Sequence, residues 1–372
     1  MRLVPIQCVK PGTYLAKTIF DNDGRILLRD GIALTDNFLK RIKQLQIYSI
    51  YITDEYSQTI LEDVINPELR QTAIKAIKET FYSFEKYSLY SNNPNFNENK
   101  FSKEKQSYFE SIGSIAKDII DEIISKKNVM INLVDIKSMD NYTYQHSVNV
   151  AIISLIIGVQ LQLNKHELYT LCMGALIHDI GKVLIPKSII LKPGPLTDEE
   201  FITIKEHPTK GYNYLKGSLD ISAPSRIVAL QHHEKIDGTG YPDKLKNKAI
   251  SRFARIVAIA DVYDALTSDR PYKKAFSPND AVEFIYSHGN THFDYEMVKA
   301  FSKVVVPYPP GTLVRLSTGD IAVVTIILPN FALRPEVKII KKGNKPTSKE
   351  IGSTISLVSH LNIVIQNIEF DV

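Results

Sequence analysis

Apolar side chains recur at spacings of three and four along most of the segment from Tyr108 to Val304. This is the periodicity of helices that bury one face, and short loops with glycine and proline interrupt it at intervals. A segment of this length with helical periodicity predicts an all-α domain with a core of its own. Its most apolar stretch, Val148 to Val159, is shorter than the roughly 20 residues that a membrane span needs. We therefore expect a buried core helix there.

The sequence before this segment predicts a small α+β module. Residues 13–29 contain two apolar stretches separated by an Asp-Gly turn signal, which is the pattern of a β-hairpin. A helix capped by Thr35 or Asp36 is expected to extend to about residue 44. Residues 47–52 then alternate between apolar and polar side chains like a strand.

Two further changes of pattern divide the chain. Helical periodicity from Asn66 to Tyr87 is followed by SNNPNFNENKFSKEKQS, a polar and Asn-rich stretch that predicts a linker. After Pro310 the runs TLVRLS, IAVVTIIL, EVKII and ISLV alternate as strands do. The protein is therefore expected to be mainly α, with four parts: an N-terminal α+β module with a helical extension at 1–90, a polar linker at 91–107, the helical domain at 108–305 and a small β module at 306–372.

Charge and cysteine content limit the partners and the compartment. The formal net charge of +4 is spread along the chain, which argues against a nucleic-acid-binding surface. Cys8 and Cys172 are far apart, and Cys172 lies in an apolar helical pattern that is typical of a buried thiol. The first residues lack the continuous apolar stretch of a secretory signal. We expect a cytoplasmic protein whose partners include neither a nucleic-acid polymer nor a membrane.

Three apolar helical segments each carry a side chain of the kind that binds metal ions. They are His146 within 142–157, His178 with its neighbour Asp179 within 165–182, and Asp261 within 253–266. Each lies on the apolar face of its segment. A buried imidazole or carboxylate without a partner is costly, so these groups are expected to satisfy one another or to hold a cation.

Further histidines extend this candidate metal site. His207 lies in KEHPTKGY, and the adjacent His232 and His233 lie in ALQHHEKIDGTGYP. Taken singly, each is more often a surface residue or a support for a ligand than a ligand itself. Together the five imidazoles and two carboxylates form a mixed nitrogen and oxygen set with enough ligands for two ions. Such a set suits iron or manganese best, and zinc, cobalt or nickel as well; it contains too much nitrogen for a magnesium or calcium site.

Five motifs between residues 140 and 305 resemble those of the HD-GYP branch of the HD-domain phosphohydrolases. In order they are YTYQHSVNVA, HDIGK, KEHP, HHEKIDGTGYP and ADVYDALTSDRPYKKA. The resemblance implies a two-metal centre in which Asp179 bridges the ions. It assigns His146, His178, Asp179 and Asp261 to one ion and His207, His232 and His233 to the other. Some members bind a third ion through a glutamate one turn before the first histidine; Tyr142 stands there, so we expect two ions.

The resemblance also implies a substrate, cyclic di-GMP, which is opened to linear pGpG and cut further to GMP, so that the level of this second messenger falls. A hydroxide that bridges two cations is a suitable nucleophile, because the cations lower the pKa of water and offset phosphate charge. Asp179 and Lys182 are the expected catalytic residues, with Lys182 at a substrate phosphate or as proton donor to the leaving oxygen.

The remaining substrate contacts are expected from two motifs. Arg270 and Lys273 in RPYKKA would bind the second phosphate, for which the guanidinium fork is well suited. Gly240 allows a tight backbone turn, and Tyr241 can stack on the ligand or donate a hydrogen bond to it. The outer modules are expected to serve packing, a homodimer or protein partners.

Two other functions are compatible with parts of this pattern. A phosphohydrolase acting on mononucleotides needs the same histidines and aspartates, but not the DGTGYP and RPYKKA segments. A catalytically inactive receptor for cyclic di-GMP needs the substrate contacts, but not a complete set of metal ligands. Turnover of cyclic di-GMP by the metal-loaded protein distinguishes a cyclic di-GMP phosphodiesterase from both alternatives.

Overall fold

The structure, a computed structural model, describes residues 1–21, 24–45, 47–57, 63–90, 97–126, 142–192, 194–268, 275–328, 331–343 and 351–370. The expected fold class is confirmed: helices dominate the middle of the chain, and small sheets lie towards its two ends. Within the described residues, no helix combines the length and the apolar character that crossing a membrane would require.

The N-terminal module is a three-stranded antiparallel sheet with one helix and a short hairpin. Its elements are β1 (Arg2–Pro5), β2 (Tyr14–Leu15), β3 (Ile19–Phe20), β4 (Ile26–Leu28), α1 (Asp36–Gln44) and β5 (Ser49–Thr53). The sheet order is β1-β5-β2, and β3 pairs with β4 in the hairpin expected from the sequence. The hydroxyl of Thr35 accepts from the amide of Phe38, which confirms the predicted helix start.

Two long helices follow this module. They are α2 (Pro67–Tyr90) and α3 (Glu98–Ser125). The prediction of a polar linker at 91–107 is therefore wrong for residues 97–107, while residues 91–96 lie outside the described part of the chain. Asn97 caps α3 through the amide of Lys100, and the buried Phe101 stacks on Tyr87 with 4.5 Å between ring centroids. The polar side chains among residues 98–107 lie mainly on the solvent face of this helix.

The remaining helices form the domain that carries the candidate site. They are α4 (Tyr142–Gln160), α5 (Lys165–Leu176), α6 (Lys187–Ile190), α7 (Asp198–Ile204), α8 (His207–Leu215), α9 (Ala223–Gln231), α10 (Arg252–Leu266), α11 (Pro278–Ser287) and α12 (Tyr295–Val304). One continuous hydrophobic core joins α2 and α3 to these helices. Its centre is α4, of which residues 146–158 are all buried, as expected for the most apolar stretch of the sequence.

The C-terminal module is a five-stranded antiparallel sheet. Its strands are β6 (Leu313–Leu316), β7 (Ile321–Ile326), β8 (Glu336–Lys341), β9 (Thr354–Ser356) and β10 (Ile365–Glu369), in the order β10-β6-β7-β8-β9. The alternating runs predicted the first four strands, whereas β10 was missed because three of its five residues, IQNIE, are polar. The guanidinium of Arg2 donates to the carbonyl of Phe370, so the first and last modules are in contact.

Candidate metal centre

Asp179 lies at the centre of a buried group of imidazoles. Its Oδ2 atom is 3.7 Å from Nε2 of His146 and 3.4 Å from Nε2 of His178. Its Oδ1 atom is 3.4 Å from Nε2 of His207 and 3.8 Å from Nε2 of His232. The two oxygens of one carboxylate therefore face two different pairs of histidines.

Two groups of side chains among the described residues have the geometry to hold a metal ion. We call His146, His178 and Asp179 the first group, and Asp179, His207, His232 and His233 the second group; within each, the ligand atoms lie within 4.8 Å of one another. Asp261 adjoins both, with Oδ1 at 3.0 Å from Nε2 of His146 and Oδ2 at 3.8 Å from Nδ1 of His233. The structure thus brings together all seven side chains expected as ligands.

Five separate parts of the helical domain contribute these side chains. His146 lies in α4 and Asp261 in α10, while His207 is the first residue of α8. His232 and His233 follow the end of α9. The cluster therefore depends on how the helices pack, and not on any one stretch of sequence.

The structure corrects the expectation that one helix continues through His178. α5 ends at Leu176, and His178 and Asp179 lie in a turn before a 3₁₀ helix over Ile180–Leu184. In a continuing α-helix the carbonyl of Ala175 would accept from the amide of Asp179. Here that carbonyl accepts from Nδ1 of His178 at 2.7 Å and from the amide of His178 at 3.5 Å, in place of the amide of Asp179.

Gly181 lets α8 approach the turn that carries Asp179. A Cβ atom at position 181 would lie 2.0 Å from the carbonyl oxygen of His207 and 2.6 Å from the amide nitrogen of Gly211. Both are backbone atoms, so no side-chain rotation would relieve the overlap. The close approach brings Nε2 of His207 within 3.4 Å of Asp179.

Hydrogen bonds fix the tautomers of four histidines. Nδ1 lies within hydrogen-bond distance of a backbone carbonyl in three of them: 2.7 Å from Ala175 for His178, 2.7 Å from Ile204 for His207, and 3.1 Å from Ala229 for His232. Nδ1 of His146 lies 2.7 Å from Oδ2 of Asp264. Carbonyl and carboxylate oxygens accept only, so each Nδ1 carries a hydrogen and each Nε2 is the ring atom directed into the cluster.

The arrangement of acceptors in the cluster fits a bound cation. Nε2 of His178 and Oδ1 of Asp179 are buried and have no hydrogen-bond partner. Nε2 of His207 and Nε2 of His232 lie 3.2 Å apart, although both are acceptors in these tautomers. Lone pairs at such a distance repel each other unless a cation lies between them. Together with the nitrogen-rich ligand set, this points to transition-metal ions.

The two carboxylates of the cluster are held ionised. Burial alone would raise the pKa of Asp179, but Lys182 and His178 hold that pKa well below its usual value. Burial alone would also raise the pKa of Asp261, but a hydrogen bond from His146 and the nearby histidines hold that pKa far below its usual value. Ionised carboxylates are the form that coordinates a metal.

The imidazoles differ in a way that follows from their neighbours. Burial lowers the pKa of His233 to about 3 and, together with adjacent histidines, lowers the pKa of His232 well below its usual value. Burial would do the same to His146, but hydrogen bonds to Asp261 and Asp264 raise its pKa. The position beside Nε2 of His146 thus favours a positive charge, which a proton or a metal ion can supply.

Lys182, one of the residues expected to act on substrate, lies beside the cluster. Its ammonium lies 2.6 Å from Oδ2 of Asp179, and 29% of its side chain is exposed. It can therefore reach both the carboxylate and a ligand in the solvent-facing part of the site. Arg270 and Lys273 lie outside the described residues, and their contacts with the substrate stay predictions.

The loop after α9 places an aromatic ring beside the second group. The ring of Tyr241 lies 4.8 Å from the ring of His233, centroid to centroid. At Gly240 a Cβ atom would lie 2.4 Å from the amide nitrogen of Lys235 and 2.5 Å from Cα of Glu234, so the turn needs glycine. Tyr142, one turn before His146 in α4, stacks on the ring of His146 with 5.8 Å between ring centroids.

Three residues that shape the site did not stand out in the sequence. Asp264 holds His146, and the side-chain amide of Asn149 donates to Asp264 at 3.0 Å. The carboxylate of Glu234 accepts from the amides of Asp243 and Leu245 and closes the loop that carries Tyr241. Spacing was an available signal, because Asn149 and Asp264 each follow a proposed ligand by three residues and share its helix face.

Comparison with known proteins agrees with this geometry. Residues 123–297 match the HD domain family. A cyclic di-GMP phosphodiesterase of Pseudomonas aeruginosa is 42% identical over 228 residues, which are 60% of this chain and 55% of that protein. A 3'3'-cGAMP-specific phosphodiesterase of Vibrio cholerae is 38% identical over 166 residues, which are 45% of this chain and 38% of that protein. The chain thus spans only about half, or less, of these relatives.

A solved structure shares the fold over most of the chain. The HDG"Y"P protein of Bdellovibrio bacteriovorus superposes with a TM-score of 0.52 and 18% identity, covering 81% of this chain and 97% of that one. At this level of identity the likeness concerns the fold alone. It extends beyond the residues that match the family, so the arrangement of the helical domain with part of its flanking structure recurs in another protein.

Proposed function

Because residues 123–297 belong to the HD domain family, we propose that the chain is a metal-dependent phosphodiesterase that hydrolyses cyclic di-GMP. The observation that carries this proposal is the shared carboxylate of Asp179, whose two oxygens face the first and the second group. A relative at 42% identity named for the same activity supports the choice of substrate.

The seven clustered side chains are the proposed metal ligands. His146, His178, Asp179 and Asp261 would hold one ion, and His207, His232, His233 and Asp179 the other, with iron or manganese as the first candidates. Two bound divalent cations would supply activated water at neutral pH and offset negative charge on the phosphate. The protein prepares the site by fixing the histidine tautomers and keeping both carboxylates ionised.

Three kinds of side chain are proposed to act on the substrate itself. The exposed part of Lys182 allows its ammonium to contact a phosphate oxygen or to give a proton to the leaving oxygen. Tyr241, held by the Gly240 turn, offers a ring face or a hydroxyl to the ligand. Arg270 and Lys273 would bind the second phosphate. The products would be linear pGpG, GMP or both.

The flanking modules are proposed to lie outside the chemistry. We assign catalysis to residues 108–305 and packing, a homodimer or protein contacts to the modules at 1–90 and 306–372. The free thiols of Cys8 and the buried Cys172 suit a reducing compartment, for which we propose the cytoplasm.

A turnover assay with several substrates tests this function. The protein would be stripped of metal with a chelator, reloaded with Mn²⁺ or Fe²⁺, and incubated separately with cyclic di-GMP, 3'3'-cGAMP and a mononucleotide, with Asp179→Ala as the inactive control. We expect conversion of cyclic di-GMP by the reloaded protein only, resolved as pGpG or GMP by chromatography. Binding without conversion would favour a receptor. Conversion of the mononucleotide alone would favour the other phosphohydrolase class, and preference for 3'3'-cGAMP would change the substrate.

A further inference from the structure

Hydrogen bonds connect α2, which lies outside the family match, to a metal-ligand candidate in α4. Nη1 of Arg70 donates to Oδ1 of Asn149 at 2.6 Å. Nδ2 of Asn149 donates to Oδ1 of Asp264 at 3.0 Å, and the other oxygen of Asp264 lies 2.7 Å from Nδ1 of His146. We call Arg70, Asn149 and Asp264 the Arg70 network.

Chemistry fixes the direction of every bond in the Arg70 network. A guanidinium can only donate and an ionised carboxylate can only accept. Asn149 must therefore turn its oxygen to Arg70 and its nitrogen to Asp264, because the flipped amide would satisfy neither neighbour. Asp264 in turn requires a hydrogen on Nδ1 of His146. The series thereby orients the ring so that Nε2 of His146 faces Asp179 and Asp261, where it can bind a cation.

Because the Arg70 network is largely buried, the loss of one of its hydrogen bonds is expected to weaken the next one. Asn149 is 1% exposed, Asp264 3% and His146 2%, so water can replace little of what a missing partner would leave unsatisfied. Arg70 is partly exposed and brings the positive charge that polarises the amide of Asn149 towards the buried carboxylate. Linked hydrogen bonds in such surroundings strengthen one another.

We propose that Arg70 is a positioning residue for His146 and strengthens metal binding by the first group. The proposal rests on the proposed function, since it presupposes that both groups hold metal. Residues that orient a ligand from outside the coordination sphere typically change metal affinity by about 10- to 100-fold. The second group shares Asp179 with the first but does not contain His146. The effect of Arg70 should therefore fall on one of the two ions.

The position of α2 gives the N-terminal module a route to the metal centre. α2 packs on α4 through Phe81 and Tyr144, whose rings meet edge to face at 5.6 Å between centroids. Next to Arg70, Gln71 of α2 lines a small cavity together with Gln145 of α4 and residues 18–21 of the N-terminal module. A shift of α2 against α4 would break the bond from Arg70 to Asn149. We expect such a shift to weaken metal binding by the first group.

Metal titration of the full chain tests this role. The metal-free protein would be titrated with Co²⁺, whose visible absorption reports on its coordination, in wild type, Arg70→Met, Arg70→Lys and Lys75→Met. Lys75 is an exposed cation on the same helix and serves as the matched control. We expect Arg70→Met to weaken the binding of one of two ions by about 10- to 100-fold, with the other ion unchanged. Lys75→Met should match wild type, and Arg70→Lys, which keeps a charged donor, should restore most of the affinity.

Two further measurements separate positioning from general destabilisation. Asn149→Ala removes the next residue of the Arg70 network, so it should interrupt the same series of hydrogen bonds as Arg70→Met. The double variant should therefore bind the affected ion only slightly more weakly than each single variant does. Thermal unfolding of the metal-free proteins should show Arg70→Met to be less stable than Lys75→Met, because Asn149 loses a buried partner, so affinities are compared at a temperature at which all variants are folded. Equal affinities in Arg70→Met and Lys75→Met, or weakening of both ions together, would overturn the proposal. A wild-type protein that binds no Co²⁺ would instead overturn the proposed metal centre, and this role of Arg70 with it.

Discussion

Replacement of Gly181 by alanine tests how closely the helical domain must pack to form the metal centre. The added Cβ atom would lie 2.0 Å from the carbonyl oxygen of His207, whereas real Cβ contacts are essentially never shorter than 3.0 Å. The difference requires α8 to move away from residues 179–184 by at least about 1 Å, because both overlapping atoms belong to the backbone. His207, the first residue of α8, would move with it.

The expected size of the effect follows from this displacement. Overpacking of this kind costs about 1–3 kcal/mol of unfolding free energy. A misplacement of about 1 Å in a catalytic arrangement can lower the rate by about 100-fold. Gly181→Ala should therefore be less stable than wild type, bind the second-group ion more weakly, and lose about two orders of magnitude in kcat/KM for cyclic di-GMP.

Gly217→Ala is the matched control. It lies just after the end of the same helix, and a Cβ atom there meets nothing within 4 Å. Chemical unfolding of the metal-free proteins, metal analysis after dialysis and steady-state kinetics would be measured for both variants. If Gly181→Ala matches Gly217→Ala in stability and metal content, the close approach of α8 is not what places His207, and the reasoning fails.

Further predictions concern metal content, substrate binding, loop order and pH. Asp179→Ala should lose most of both metal ions and all hydrolysis, because its two oxygens face both groups; metal analysis with two ions retained would contradict this. Arg270→Ala should raise KM for cyclic di-GMP without metal loss, and metal loss there would mean that Arg270 is wrongly assigned. Glu234→Ala removes the acceptor for two loop amides and should raise KM, whereas Glu234→Gln, which keeps one acceptor oxygen, should be milder; equal kinetics in wild type and both variants would exclude this role. Burial would raise the pKa of Asp320, but hydrogen bonds from the amide of Gly343 and from Thr318 and Lys342 lower that pKa. The ionised carboxylate therefore stabilises the fold near neutral pH, and this stabilisation is lost as the pH falls through the folded-state pKa of Asp320. Asp320→Asn should therefore reduce the difference in unfolding free energy between neutral and acidic buffer, and an unchanged difference would refute this.

The sequence predicted those elements whose signals are local. A helix start at Thr35 follows from a hydroxyl that can accept from an amide three residues on, and the strands of the C-terminal module follow from alternation. The prediction of a linker was wrong at 97–107 because the polar composition of this stretch describes both faces of an amphipathic helix together, and so hides its apolar face. Its burial depends on contact with α2, which no local pattern reports.

The candidate site divides in the same way. Side chains of ligand type on apolar helix faces were visible as His146 and Asp261, since a buried polar group needs a reason. The end of α5 before His178 was not, because it depends on the turn in which the Ala175 carbonyl accepts from the ring and the amide of His178. Nor was Arg70, whose distance from Asn149 along the chain hides a contact that only the packing of α2 on α4 creates.

The fixed histidine tautomers have a consequence for which ion the protein carries. Hydrogen bonds hold these imidazole rings in place before an ion binds. The ligand atoms therefore move little on binding, and such a site discriminates poorly between ions of similar size. Intrinsic preference then follows the Irving–Williams series, in which cobalt and nickel exceed iron and manganese. Under that rule, the ion bound in the cell is set by supply, and protein purified from media with different trace metals should contain different ions at the seven proposed ligands.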